Sequence, residues 1–159
     1  MSDVRSGIGF DVHRHDPSRP LALGGVEFPG EPGLAGHSDG DAVCHALADA
    51  LLGAAALGDV GQHFPDTDPE VAGIAGATLL ARTVAILADA GFAPSSVDVT
   101  VICARPAIAP RRDDLRAALA VPLGLDLDRV SVKATRPEGL GLTDDGIGCF
   151  AIAVVRARP

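Results

Sequence analysis

Tryptophan and tyrosine are missing from this chain, and phenylalanine occurs only five times in 159 residues. A core of stacked aromatic rings is therefore excluded. Hydrophobic residues still make up 47% of the sequence, much of it alanine, so the expected core is Ala, Val, Leu and Ile. The length suits one domain, residues 1–159, with enough chain to bury that core.

Positive charge is also scarce. Thirteen basic residues face 21 acidic ones, a formal net charge of -8 at pH 7. That argues against a nucleic-acid partner held through its phosphates. It also means that an anionic substrate would need local help, from a metal ion or from helix N-termini. No uninterrupted apolar run is long enough for a transmembrane helix, because His45 and Asp49 break the stretch 42–57. The start of the chain lacks a basic-then-apolar export pattern, so a cytoplasmic protein without a membrane partner is expected. Cysteines are few, odd in number and far apart: Cys44, Cys103 and Cys149. They read as reduced core thiols rather than a disulfide framework. Cys44 beside His45 could be a ligand or nucleophile. Neighbours on a helix point about 100° apart, however, which favours the plain thiol.

What is present suggests α/β (α+β) order. Residues 4–13 and 21–28 pattern as strands, joined by a turn-rich 15–20. A loop is expected over 29–36. "HSDGDAVCHALADALLGAAALGD" then opens a helix, with Ser38 or Asp39 as N-cap and Gly58 as its end. "FPDTDPE" (64–70) reads as a loop. Helices are expected over 76–90, with Gly91 just past the end, and over 110–123. Strands are expected over 97–104, 129–135 and 149–157. The order β-β-α-α-β-α-β-β predicts a mixed sheet of four to five strands with helices on one face.

"GFDVHRH" (9–15) carries the first chemical signal. In a strand, Asp11 and His13 point the same way, with Val12 opposite. A carboxylate and an imidazole can hold a divalent metal, but two ligands do not make a site. Asp41, His45 and Asp49 are spaced i, i+4, i+8 and would share one helix face, so His45 is a candidate third ligand. A surface histidine is the plain alternative. His37 and Ser38 at the same helix N-terminus could bind an anion, or Ser38 could simply cap. Asp66 and Asp68 could be turn-formers only. Glu138, in "KATRPEGLGLT", could reach a harder ion such as Mg²⁺, or could be an exposed loop acid.

These stretches together resemble a known family. "GFDVH", the long block from "GHSDGDAVCHALADALLG" to "GQHFPDTDP", "VDVTVI", and "VKAT" followed by "E" and "LGLT" are similar to the 2-C-methyl-D-erythritol 2,4-cyclodiphosphate synthases, cyclases of the non-mevalonate isoprenoid route. The similarity spans nearly the whole chain. It implies Zn²⁺, or another divalent transition metal, on Asp11, His13 and His45. It implies phosphate contacts from His37 and Ser38, and a methylerythritol site from Asp59, Val60 and Gly61 with Phe64, Pro65, Asp66, Thr67 and Asp68. Cys103, Ala104, Arg105, Pro106, Ala107, Ile108 and Ala109 ("CARPAIA") fall on the cytidine loop. Thr135 and Glu138, with Leu142 near them, fall on a diphosphate and Mg²⁺ (or Mn²⁺) site.

The implied catalytic groups are His37, Thr135 and Arg136, and the implied assembly is a homotrimer. The implied reaction is phosphorus–oxygen lyase chemistry on a cytidine diphosphate derivative. The chain departs from the family in three places. Arg136 stands where Thr is usual, Ala107 where Lys is usual, and Asp144-Asp145-Gly146-Ile147 where Gly-Arg-Gly-Glu is usual. On that alignment Asp145 and Ile147 would line a cavity on the threefold axis, with Asp145 turned to water or paired with Arg156. A metal-bound, non-catalytic paralogue and a zinc phosphoester hydrolase are the alternative readings.

Overall fold

The computed structural model describes residues 3–158 apart from 142 and 144. Five strands form one sheet in the order β2-β1-β5-β3-β4: β1 (Val4–Leu23), β2 (Val26–Leu34), β3 (Phe92–Cys103), β4 (Val130–Thr135) and β5 (Gly146–Ala157). All neighbours run antiparallel except β3 and β4. Helix α1 (Ala42–Ala54) lies over β1 and β5, while α3 (Gly76–Asp89) and α4 (Arg112–Leu123) cover β3 and β4. The short α2 (Val60–His63) follows α1. No helix among the described residues is long and apolar enough to cross a membrane.

The sequence pattern locates most elements and misplaces the first hairpin. The strand expected over 21–28 is cut in two by Gly24-Gly25, whose φ values of 58° and 77° make a two-residue hairpin turn. Residues 15–20 do not form the turn. They continue β1 with register shifts, and Asp16 Oδ1 accepts bonds from Ser18 N and Ser18 Oγ at 3.0 and 2.6 Å. The loop expected over 29–36 is mostly strand, because β2 is a sheet edge where Pro29 and Pro32 cost little. Neither Ser38 nor Asp39 caps α1. Asp41 does, and the helix ends at Ala54, short of Gly58.

On β5 the side chains alternate. Ile147, Cys149, Ala151, Ala153 and Val155 are buried beneath the helices, whereas Phe150 and Ile152 face outward. Ile147 therefore belongs to the core and lines nothing on the outer face. Arg156 pairs with Val4 at the far end of β5, out of reach of Asp145 within one chain. All three cysteines are free and buried, as expected of core thiols. Burial raises all their pKa values, Cys103 to about 11, so none is a ready nucleophile.

The packing of α1 on β1 sets up everything that follows. A Cβ added at Gly9 would stand 1.9 Å from the Ala46 carbonyl oxygen, so only glycine lets the helix backbone come this close. Gly9→Ala is expected to cost about 1–3 kcal/mol by overpacking. It should also weaken metal binding, because His45 rides on the displaced helix. A urea melt and a zinc titration on the same protein check both halves, and wild-type values in both would refute the packing argument.

Candidate active site

Strand alternation brings Asp11 and His13 to the face beneath α1, and the close packing lowers His45 onto them. Asp11 Oδ2 lies 2.7 Å from His13 Nε2 and 3.3 Å from His45 Nδ1, and the two ring nitrogens are 3.4 Å apart. Donors on a tetrahedral zinc, with bonds of about 2.0–2.1 Å, stand about 3.3–3.4 Å from one another. Two of the three edges already have that length. Among the described residues this is the one His/Cys/Asp/Glu group that could hold a metal. Asp11 Oδ2 is buried and has no well-aligned hydrogen bond of its own, which is the environment of a carboxylate oxygen directed at a cation.

The second ring nitrogens are also engaged. His13 Nδ1 donates to the Ala35 carbonyl at 2.6 Å, which leaves the Nε2 lone pair of a neutral ring facing the cluster. His45 Nε2 is 3.0 Å from Ser38 Oγ, and that hydroxyl accepts from Gly40 N at 3.1 Å. Ser38 thus supports a candidate ligand instead of capping the helix.

Charge in the cluster is strongly coupled. Burial alone would raise the Asp11 pKa, but the two imidazoles outweigh it and hold the carboxyl at about 2. Asp11 in turn raises His13 above its usual 6.5, against burial and the charge of Arg19. The signs give a pH window for metal-free protein. The stabilisation from Asp11 is present above about pH 4 and fails as pH falls through the depressed value. That from His13 is full below about 6.5 and is lost as pH rises through its raised pKa. Chelator-treated protein should therefore melt lower at pH 8.5 than at pH 6, and His13→Gln should flatten that difference. An equal change in the variant would show that another group is responsible.

The three residues expected on one face of the first helix separate. His45 turns to the cluster. Asp41 is fully buried at the helix start and faces the hairpin turn instead. Asp49 Oδ1 accepts from Val60 N at 2.8 Å and so ties down the start of α2, a role that spacing alone did not suggest.

A cavity of about 200 Å³ opens above the cluster, lined among others by His37, Ser38, Val60, Gly61, Phe64 and Asp66. His37 Nδ1 and Asp66 Oδ2 are exposed and 3.3 Å apart at its rim. Asp59 caps α2 by accepting from Gln62 N, and Asp68 accepts from Glu70 N, so both are turn-formers here. Pro65 and Thr67 are exposed on the same loop.

The 103–109 loop walls a second cavity, about 300 Å³, together with Ala134, Thr135 and Arg136. Arg105 does not line that cavity; it is exposed beside another, of about 610 Å³, where it pairs with Glu31 of β2 at 2.9 Å. The cavities of about 200 and 300 Å³ share no lining residue. Glu138 is exposed with φ 53° and belongs to no metal-ligating cluster among the described residues. Leu142 lies outside the described residues, as does Asp144. Asp145 is exposed.

Comparison with known proteins identifies the family to which this fold belongs. The profile of the YgbB family matches residues 4–157. The 2-C-methyl-D-erythritol 2,4-cyclodiphosphate synthase of Symbiobacterium thermophilum is 49% identical over 154 residues, covering 96% of this chain and 98% of that protein. Among solved structures, the bifunctional IspDF of Campylobacter jejuni superposes with a TM-score of 0.93 at 34% identity, over 99% of this chain and 43% of that one. A CDP-bound 2C-methyl-D-erythritol-2,4-cyclodiphosphate synthase superposes with a TM-score of 0.88 at 35% identity, over 95% of this chain and 99% of that one. On a family match spanning nearly its whole length, this chain belongs to the YgbB family, that of the 2-C-methyl-D-erythritol 2,4-cyclodiphosphate synthases.

Proposed function

We propose that this protein converts 4-diphosphocytidyl-2-C-methyl-D-erythritol 2-phosphate to 2-C-methyl-D-erythritol 2,4-cyclodiphosphate and CMP. The observation that carries the reading is the convergence of Asp11, His13 and His45 beside the His37–Ser38 loop, in a chain of this family. The 2-phosphate oxygen attacks the β-phosphorus, and the bond from that phosphorus to the CMP oxygen breaks. This is phosphorus–oxygen lyase chemistry in which positioning and charge neutralisation do most of the work.

A divalent transition metal, zinc by donor type, would sit on Asp11, His13 and His45 and polarise a phosphate oxygen when bound. His37 and Ser38 orient the phosphate beside it. Thr135 and Arg136 meet the diphosphate from the other side. Glu138 offers one carboxylate, and Mg²⁺ commonly binds one or two carboxylates plus substrate phosphates. Residues 59–61 and 64–68 hold the methylerythritol portion. The backbone of residues 103–109 reads the cytosine edge, which needs no special side chain and tolerates Ala107.

Two separate cavities in one chain support a homotrimer, in which one copy's metal cavity meets the neighbour's cytidine loop. The outer sheet face supports it as well. Ile8, Phe10, Val12, Phe150 and Ile152 are all 42–69% exposed, an apolar patch unusual for a lone domain. The residues 1–159 act as one domain in this reading, and three buried free thiols support a reducing, cytoplasmic setting.

One assay tests the function: protein, substrate and Mg²⁺, with the products identified. Cyclic diphosphate and CMP are expected. CMP without a ring would indicate hydrolysis, and no turnover a non-catalytic paralogue, which nothing in the site favours. Arg136 is exposed in the cytidine cavity, where its guanidinium can take the place of a threonine hydroxyl on a phosphate. Arg136→Thr is expected to change kcat by roughly tenfold, about 1.4 kcal/mol. A gain of several orders of magnitude would mark the natural residue as crippling.

A further inference from the structure

Arg19 falls outside every motif above. It is half-buried in the irregular part of β1, where the pairing with β2 shifts register between Asp16 and Pro20. Its guanidinium reaches across to the 35–38 loop. Nη1 donates to the Gly36 carbonyl at 2.7 Å, and Nη2 donates to the Ser38 carbonyl. The fork therefore holds the backbone on both sides of His37.

The neighbouring carbonyls complete the pattern. Ala35 O is taken by His13 Nδ1, and His37 O by Gly73 N at 2.8 Å. Four consecutive carbonyls are thus fixed, two of them by one side chain. The His37 ring is left at the cavity rim, opposite Asp66. Arg19 has no carboxylate within ion-pair distance among the described residues, so its bonds are spent on the loop backbone and not on a charge partner.

We infer that Arg19 is a positioning residue that acts through His37, by clamping the carbonyls of Gly36 and Ser38 so that the imidazole faces the reacting phosphates. The planar guanidinium presents two donors from separate nitrogens, one to each carbonyl. A lysine ammonium supplies the charge without the fork. A shift of about 1 Å in a group that orients substrate can cost about 100-fold in rate. What the clamp does for turnover rests on the cyclase reading; where it holds His37 does not.

The experiment has two arms. In the first, the His37 ring signals are followed by NMR in substrate-free protein, assigned by their loss in His37→Ala. Arg19→Met should shift and broaden them, and unchanged signals would overturn the inference whatever the protein catalyses. In the second, kcat is measured for wild type, Arg19→Met, His37→Ala and the double variant. Arg19→Met alone should lower kcat 10- to 100-fold, but less than threefold when His37 is already alanine. Equal losses in both backgrounds, or no loss in either, would show that Arg19 does not work through His37. Arg19→Lys keeps the charge and the aliphatic stem, and carries the same cycle should the methionine variant melt below assay temperature. It should resemble Arg19→Met, and wild-type behaviour of the lysine variant would replace the clamp with simple charge.

Discussion

His45→Ala should abolish stoichiometric zinc and lower cyclisation by at least about 10³-fold while leaving the fold in place. Loss of an outer-shell partner already costs a metal site about 10- to 100-fold in affinity or activity, and His45 is a direct donor. Without it, Asp11 and His13 remain as two donors on one strand, too few for a closed structural site or for a three-ligand catalytic one. The fold should survive because the His45 ring is only partly buried, and the α1–β1 contact is made by Ala46, Ala50 and the glycines beneath them. The Asp11–His13 pair also persists at 2.7 Å, so the carboxylate is not orphaned. Metal analysis of dialysed protein, circular dichroism and the product assay check the three claims separately. Full metal occupancy in the variant would remove the triad from consideration. Metal loss with unchanged turnover would detach the metal from the chemistry.

Local rules made Asp11, His13 and His45 candidates, and only the family resemblance joined them into one metal site. Period two puts Asp11 and His13 on one face, and a helical histidine supplies the third donor. What the spacing could not show is the distance between strand and helix. That distance is set by glycines 7 and 9, and strand alternation gives no reason to single them out. The same blindness misplaced the helix face: i, i+4, i+8 grouped Asp41 with His45 and Asp49, but position 41 precedes the first helical residue and its side chain turns back on the chain. Residues 15–20 look like a loop because Asp, Pro and Ser suit turns, yet an edge pairing absorbs them as an irregular strand. Arg19 was invisible for a related reason. Its partners are carbonyls, and a backbone acceptor leaves no mark in a sequence. The apolar outer face was present in the alternation of Ile8, Phe10 and Val12, but strands buried on both sides by one chain would read the same way.

Asp41→Ala should be strongly destabilising, at about 4 kcal/mol. The carboxylate is fully buried and accepts four backbone N–H groups. Gly24 N, at 2.8 Å, and Gly25 N, at 2.8 Å, come from the β1–β2 turn; Val43 N, at 3.1 Å, and Cys44 N, at 3.0 Å, come from the first turn of α1. One side chain thus joins the hairpin to the helix that carries His45. Loss of a helix cap costs about 0.5–2 kcal/mol, and each buried donor left without an acceptor about 1–3, less whatever water can replace. Burial pushes the Asp41 pKa up despite the four amides, so part of what they supply offsets the cost of holding the group in the interior. Asp41→Asn separates these effects. Its amide keeps one accepting oxygen and removes the buried charge, but its NH₂ group meets the donor on Gly25, so an intermediate loss is expected. For a domain of this size each kcal/mol moves the melting temperature by about 2–4 °C, so the alanine variant should melt about 8–16 °C lower. Urea denaturation of metal-free protein isolates the effect from zinc binding. A loss below about 1 kcal/mol would mean that the hairpin and α1 hold their places without this link.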